Sequence, residues 1–331
     1  MTTLKDVARA AGVSTKTVSR VVNNDRHVSD ALRQRVLRAI EDLDYRPNLV
    51  ARHMRTQKTR LVGLVTDEIG TTPFSGNLLR GAQEAAWQHG LLLLACHTGG
   101  NPETEAHAVD LLLERQVEGI IFAAMYHREV HPPERLQQRP AVLLDCFTAD
   151  DRFPAVVPDE HEGGYLATRH LLQSGRRRIA MINGKRGFPG TEGRVAGFRH
   201  ALAEAGLPLD ESLLVYGDWW QEHGYVQALR LLDLPQPPDA FFCGNDRIAL
   251  GVYDALRERN LRIPQDVAVI GFDNMELIAA HSRPGLTTMA LPHHEMGRLA
   301  MELLNRRFEG DSTGIREPLR VPCPLVRRES A

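Results

Sequence analysis

"TLKDVARAAGVSTKTVSRVVN", residues 3–23, holds two short amphipathic patterns on either side of one glycine. In the first, Leu4, Val7, Ala8 and Ala11 share a helical face; in the second, Val18, Val21 and Val22 do. Small Ala8 lets two helices cross closely, and Gly12 suits the tight turn between them. Ser14 stands at the N-cap position of the second helix. The outer side of that helix carries Thr15, Lys16, Ser19 and Arg20. These residue types reach base edges in a major groove: Arg and Lys towards guanine, Thr towards a thymine methyl or a phosphate. A third helix is expected from Ser29, with Ala31, Val36, Leu37, Ile40 and Leu43 inward. "DYRPN" (44–48) ends it, because Pro47 disfavours helical backbone at Arg46. A plain helical bundle with a charged surface would explain the apolar positions. It would not explain the polar outer face of the second helix.

Charge points the same way. Residues 1–60 hold 13 Lys+Arg against 6 Asp+Glu, while the other 271 hold 27 against 36. A basic head on an acidic body suits a head that meets a polyanion. The next stretch, "RPNLVARHM" (46–54), reads as one short helix with Leu49, Val50 and Met54 apolar and no core of its own. So short a helix is not stable alone in water, so its partner must come from elsewhere.

The 331 residues, 43% hydrophobic, are enough for two or three domains. Lys5, Asp6 and Arg9 interrupt the start before any apolar run forms, so no signal peptide is expected. No apolar stretch is of membrane-spanning length. The four cysteines are scattered without CxxC spacing and read as free thiols of a reducing compartment. After Arg60 the pattern becomes apolar strand-like runs alternating with amphipathic helices. The runs are "LVGLV" (61–65), "LLLLAC" (91–96), "GIIFAA" (119–124), "AVLLDCF" (141–147), "IAMING" (179–184), "AFFCGND" (240–246) and "VAVIGFDN" (267–274). Continuous apolar strands with intervening helices mean parallel sheets covered on both faces, and the number of units implies two sheets in tandem. Asp67, Asp145, Asn183, Asn245 and Asp273 recur at the carboxyl ends of these runs, the end where open α/β sheets bind ligands.

"LKDVARAAGVSTKTVSRVVNN…VSDALRQRVLRAIEDLDYRPNLVARHM" resembles the head of the lactose-repressor (LacI/GalR) family of bacterial transcription regulators, nearly position for position. "GRVAGF" (193–198), "FFCGNDRIALGVYDAL", "IPQDVAVIGFDN" and "RPGLTTM" extend the resemblance over the body. The fold it implies is an all-α helix-turn-helix headpiece on a periplasmic-binding-protein-like α/β core of two doubly wound parallel-sheet lobes. The domains it implies are 1–45 (DNA binding), 46–60 (hinge helix and linker) and 61–331 (effector binding and dimerisation). Within the core, lobe 1 would be 61–157 and 291–319, and lobe 2 would be 158–290 and 320–331.

By the same resemblance Thr15, Lys16 and Arg20 face the bases, and Ser14, Thr17, Asn23 and Ser29 face phosphates. Residues 46–54 would be a hinge that folds as a pair on operator DNA, with Met54 at the position of the family's minor-groove wedge, usually leucine. Phe74, Asp145, Arg194, Trp219, Asn245 and Asp273 fall on effector-contact positions. The set suits a neutral polyol: carboxylates and an amide for vicinal hydroxyls, a guanidinium donating two bonds, an indole against the sugar face. The expectation is a cytoplasmic, homodimeric repressor of carbohydrate-utilisation genes, released from a pseudo-palindromic operator by a mono- or oligosaccharide. The alternative is a purine- or phosphosugar-responsive regulator whose ligand is a co-repressor. "PLVRRESA" carries no leucine-heptad tail, so dimers rather than tetramers are expected.

Phe188 and Gly190 stand where lactose-type members carry serines, which argues against a lactose-like ligand. "GKRGFPGTEG" (184–193) reads as a glycine-rich gating loop; it lacks GxGxxG and GxxxxGK[ST], so nucleotide chemistry is not expected. "HHEMGR" (293–298) is no zincin site, since Arg298 replaces the second histidine of HExxH, and no GxSxG elbow occurs. No enzyme activity, metal or cofactor is expected. An exported solute-binding protein would share the body but would need a signal sequence and would lack residues 1–58.

Overall fold

The computed structural model describes residues 2–22, 25, 27–45, 58–70, 73–308, 310 and 317–331. The chain divides into two compact units, Met1–Thr59 and Arg60–Ala331.

In the first unit α1 (Leu4–Ala10), α2 (Thr15–Val22) and α3 (Asp30–Asp42) enclose a small core of Val7, Ala8, Ala11, Val18, Val21, Val28, Val36, Ala39 and Tyr45. Thr3 and Asp6 form a reciprocal capping box at the start of α1. Gly12 takes φ +60° in the turn, a conformation costly for other residues. The expected inward face of α3 needs correction. Ala31 is exposed and Leu37 is 43% exposed, whereas Ala39 is buried and Leu32 packs on the core. The stripe is therefore Leu32, Val36, Ala39, Ile40 and Leu43, the i, i+4, i+7, i+8 spacing that keeps one helix face on one side.

The second unit carries two six-stranded sheets. The first runs β11 (Leu319–Val321), β5 (Ala155–Pro158), β4 (Ala141–Phe147), β3 (Gly119–Glu129), β1 (Leu61–Thr66), β2 (Leu92–His97), all parallel. The second runs β12 (Leu325–Val326), β10 (Thr287–Ala290), β9 (Ala268–Asp273), β8 (Ala240–Cys243), β6 (Ile179–Asn183), β7 (Leu214–Tyr216), and only the β10–β12 pair is antiparallel.

Strand alternation builds a core on each face of each sheet. In β3, Ile121, Ala123 and Met125 join one cluster while Ile120, Phe122 and Ala124 join the other. In β9, Val269 faces one way and Ala268, Ile270 and Phe272 the other. The first sheet is covered by α4 (Ser75–Gln88) and α11 (His293–Phe308) on one face and α5 (Pro102–Glu114) on the other. The second is covered by α8 (Gln221–Leu232) and α9 (Asp246–Glu258) on one face and α6 (Glu160–Gln173) and α7 (Pro189–Glu204) on the other. A short α10 (Glu276–Ala279) follows β9. The α6–α7 crossing is close because Gly197 has no side chain: a Cβ there would lie 2.1 Å from the His161 carbonyl oxygen.

The chain passes between the sheets three times: after β5 into α6, after β10 into α11, and from β11 to β12. All three passages lie at one end of the sheets' connectivity, and the first two carry side chains that line a common cavity.

Candidate functional site

A cavity of about 260 Å³ lies between the two sheets of the second unit. It lies near the lower end of the roughly 300–1,000 Å³ of sites for drug-sized ligands. Phe74, Asp145, Arg194, Trp219, Asn245 and Asp273, the six effector positions expected from the sequence, all line it.

Arg194, on α7, is almost fully buried and holds the floor together. Its Nε donates to Glu160 Oε2 at 2.7 Å and its Nη2 to Oε1 at 3.2 Å, while Nη1 donates to the Gly244 carbonyl. Asp273 Oδ1 stands 3.9 Å from Nη1, and the guanidinium carbon lies 3.8 Å from the Phe272 ring centre. Three of its five N–H groups are therefore already committed within the protein. The family resemblance gives this arginine to the ligand; its first partner within the protein is Glu160, which no motif marks. Glu160 sits at the passage from β5 into α6, and as an acidic residue in a first helical turn it gives no sequence signal beyond that of a dipole-matched carboxylate.

Asp145 is buried, and its Oδ1 has no hydrogen-bond partner among the described residues. Its Oδ2 stands 4.0 Å from Nε2 of buried His293, whose ring packs 4.8 Å from Phe74. Burial pushes the carboxyls of Asp145 and Asp273 well up, with the Glu160 charge adding to the rise at Asp145. Burial also pulls His293 down to about 3, with Arg194 contributing, so the imidazole is neutral at pH 7. Asp145 (φ 57°) and Asp273 (φ 106°) both take left-handed backbone. Such strain costs about 1–3 kcal/mol per residue and gathers at ligand sites.

Asn245 acts partly as a scaffold. Its Oδ1 caps α9 by accepting from Ile248 N–H at 2.8 Å, and its Nδ2 donates to the Trp219 carbonyl at 3.1 Å. Gly184 makes room for the Trp219 indole, since a Cβ there would fall 2.1 Å from the ring. Trp220 is 60% exposed with the Arg247 guanidinium 4.6 Å from its ring centre. Asp67 lines no part of the cavity; it holds Arg128 and the Met125 N–H. The second half of the expected gating loop, from residue 189, is helix. α7 begins at Pro189, and Gly190 and Gly193 leave space that the Glu160 side chain fills, with a Cβ at Gly193 only 2.6 Å from it.

In the first unit, Ser14 Oγ accepts from Thr17 N–H at 3.1 Å and lies 2.9 Å from Thr17 Oγ1. Thr15, Lys16 and Arg20 are exposed on α2, with Arg20 Nε 3.6 Å from Asp25. Ser29 is exposed and makes no capping bond. Asn23 and Met54 lie outside the described residues.

Residues 3–48 match the model for bacterial regulatory proteins of the lacI family, and residues 168–331 match that for a periplasmic binding protein-like domain. The chain is 38% identical over 336 aligned residues to the ribose operon repressor of Escherichia coli (strain K12), covering 100% of both. The chain belongs to the lacI family. This lacI-family chain is also 34% identical to the HTH-type transcriptional repressor PurR of Vibrio atlanticus (strain LGP32), over 93% of this chain and 92% of that one. Among solved structures it resembles the lac repressor dimer bound to operator and the anti-inducer ONPF. The TM-score is 0.77 at 28% identity, over 99% of this chain and 98% of that one. In this lacI-family chain no described helix is long and apolar enough to cross a membrane.

Proposed function

We propose that the protein is a homodimeric, operator-binding repressor of carbohydrate-utilisation genes, a regulator rather than an enzyme, released from DNA by a neutral sugar bound between its lobes. One observation carries the choice of ligand. The cavity sets the carboxyls of Asp145, Glu160 and Asp273, their side chains at most 7% exposed, against one buried guanidinium, and one Asp145 oxygen has no donor among the described residues. An unmet buried acceptor costs about 1–3 kcal/mol, which a ligand hydroxyl would offset. A phosphate would set negative charge against carboxyls that burial already pushes up, so the phosphosugar alternative is disfavoured. Lys185 and Arg247 also line the cavity, and the Arg247 charge offsets part of the rise at Asp273.

On this reading α2 lies in the major groove, with Thr15, Lys16 and Arg20 towards bases and Ser14, Thr17, Asn23 and Ser29 towards phosphates. Met54 is the candidate minor-groove wedge of a hinge that folds on DNA. Glu160 and His293 stand at two of the three passages between the sheets, so a ligand that contacts them biases the angle between lobes. Ligand and operator must then weaken each other by the same factor.

A purine co-repressor is the second reading. The flat rings of Phe74 and Trp219 in the cavity and the likeness to PurR favour it. Calorimetric titration of the full chain with neutral sugars, phosphosugars and nucleobases separates the readings. Saturable binding of a neutral sugar, lost in Asp273→Ala, supports the first; binding of a nucleobase alone replaces it with the second.

A further inference from the structure

The register of β3 against β4 slips between Ala123 and Arg128, so Met125, Tyr126 and His127 form an irregular segment at the end of β3. Asp67, just past β1, fixes it: its carboxylate accepts from Met125 N–H at 3.1 Å and from Arg128 Nη2 at 2.9 Å. Bulges next to binding sites re-aim side chains. Here Met125 stays buried while Tyr126 lines the cavity with 53% of its surface exposed. From the other lobe Phe188 and Trp220 line the same cavity, 40% and 60% exposed. Neither joins the apolar cluster that takes up Trp219. Single exposed apolar residues need no explanation, but three large rings around one cavity, drawn from both lobes, form a surface.

Resting on the neutral-sugar reading, we propose that Tyr126, Phe188 and Trp220 form an outer subsite, and that the ligand is a glycoside of at least two rings. The first ring takes the polar chamber of Asp145, Arg194 and Asp273. The second lies against the aromatic rim, whose faces cover the C–H faces of a sugar and leave its hydroxyls in water. Because Tyr126 belongs to one lobe and Phe188 and Trp220 to the other, the second ring touches both.

The test is calorimetry on the full chain with a panel of disaccharides and the methyl glycosides of their component monosaccharides. Wild type is compared with Tyr126→Ala and Trp220→Ala, both exposed and checked for folding by thermal melt. The expected result is a disaccharide as the tightest ligand, with each variant narrowing the disaccharide-to-monosaccharide affinity ratio by roughly two- to tenfold. A methyl glycoside that binds as tightly as its disaccharide, or a ratio unmoved by both variants, overturns the outer subsite while the sugar-binding cavity stands. Binding of no sugar by the wild type overturns both.

Discussion

Arg194 and Glu160 form a buried two-point ion pair, 2.7 Å and 3.2 Å, that ties α7 to the passage between the lobes. Both side chains are at most 6% exposed. Pairs of this kind add little net stability over an apolar packing, but breaking one leaves an unpaired charge. Arg194→Met should therefore lower stability by about 3–5 kcal/mol, read as the midpoint of chemical denaturation. A loss under about 1 kcal/mol would mean that solvent already reaches the pair.

Asp246 is buried beneath Thr288 Oγ1 and the Met275 N–H, both 2.6 Å away, and burial raises its carboxyl to about 7 despite those bonds. The folded state then holds a proton that the unfolded chain has lost above its ordinary value near 3.8. Stability from this group is full below that value and falls as pH rises to about 7, by roughly 4 kcal/mol at most. Asp246→Asn should flatten that part of the stability–pH curve. An unchanged slope would place the proton elsewhere.

Gly184→Ala would set a methyl group where the Trp219 indole lies. The ring must move, since overpacking costs about 1–3 kcal/mol. The expected outcome is a changed tryptophan emission and at least tenfold weaker sugar binding, with operator affinity of the ligand-free protein retained. Normal sugar binding would remove Trp219 from the ligand wall.

Arg20→Ala should weaken operator binding by about 1–3 kcal/mol and relax sequence preference at one base pair. Lys16→Ala should weaken it and lower the slope of affinity against salt. Both are read by fluorescence anisotropy at several salt concentrations. Equal losses on all sequences for Arg20→Ala would assign it to the backbone instead.

The fold class was legible because its strands are buried on both faces. "GIIFAA" is apolar throughout since Ile120 and Phe122 serve one core and Ile121 and Ala123 the other. The strands Leu319–Val321 and Leu325–Val326 left no such mark; two or three residues carry no period, and the partner strand fixes them. Leu37 misled because α3 has more apolar residues than its core face holds. In the cavity, the six positions drawn from motifs gather around one space. Glu160 did not emerge, because its pairing with Arg194 joins residues 34 apart and exists only after α6 and α7 cross. Tyr126 was hidden similarly: it follows directly on the apolar run that ends at Met125, and only the slip in β3 turns it to the cavity.

The most direct measurement is the affinity of the full chain for a duplex selected from a random library, with and without a saturating neutral sugar. The prediction is an enriched pseudo-palindromic site whose binding the sugar weakens at least tenfold, an effect absent in Asp273→Ala. No enriched site, or binding strengthened by a nucleobase and indifferent to every sugar, would contradict it.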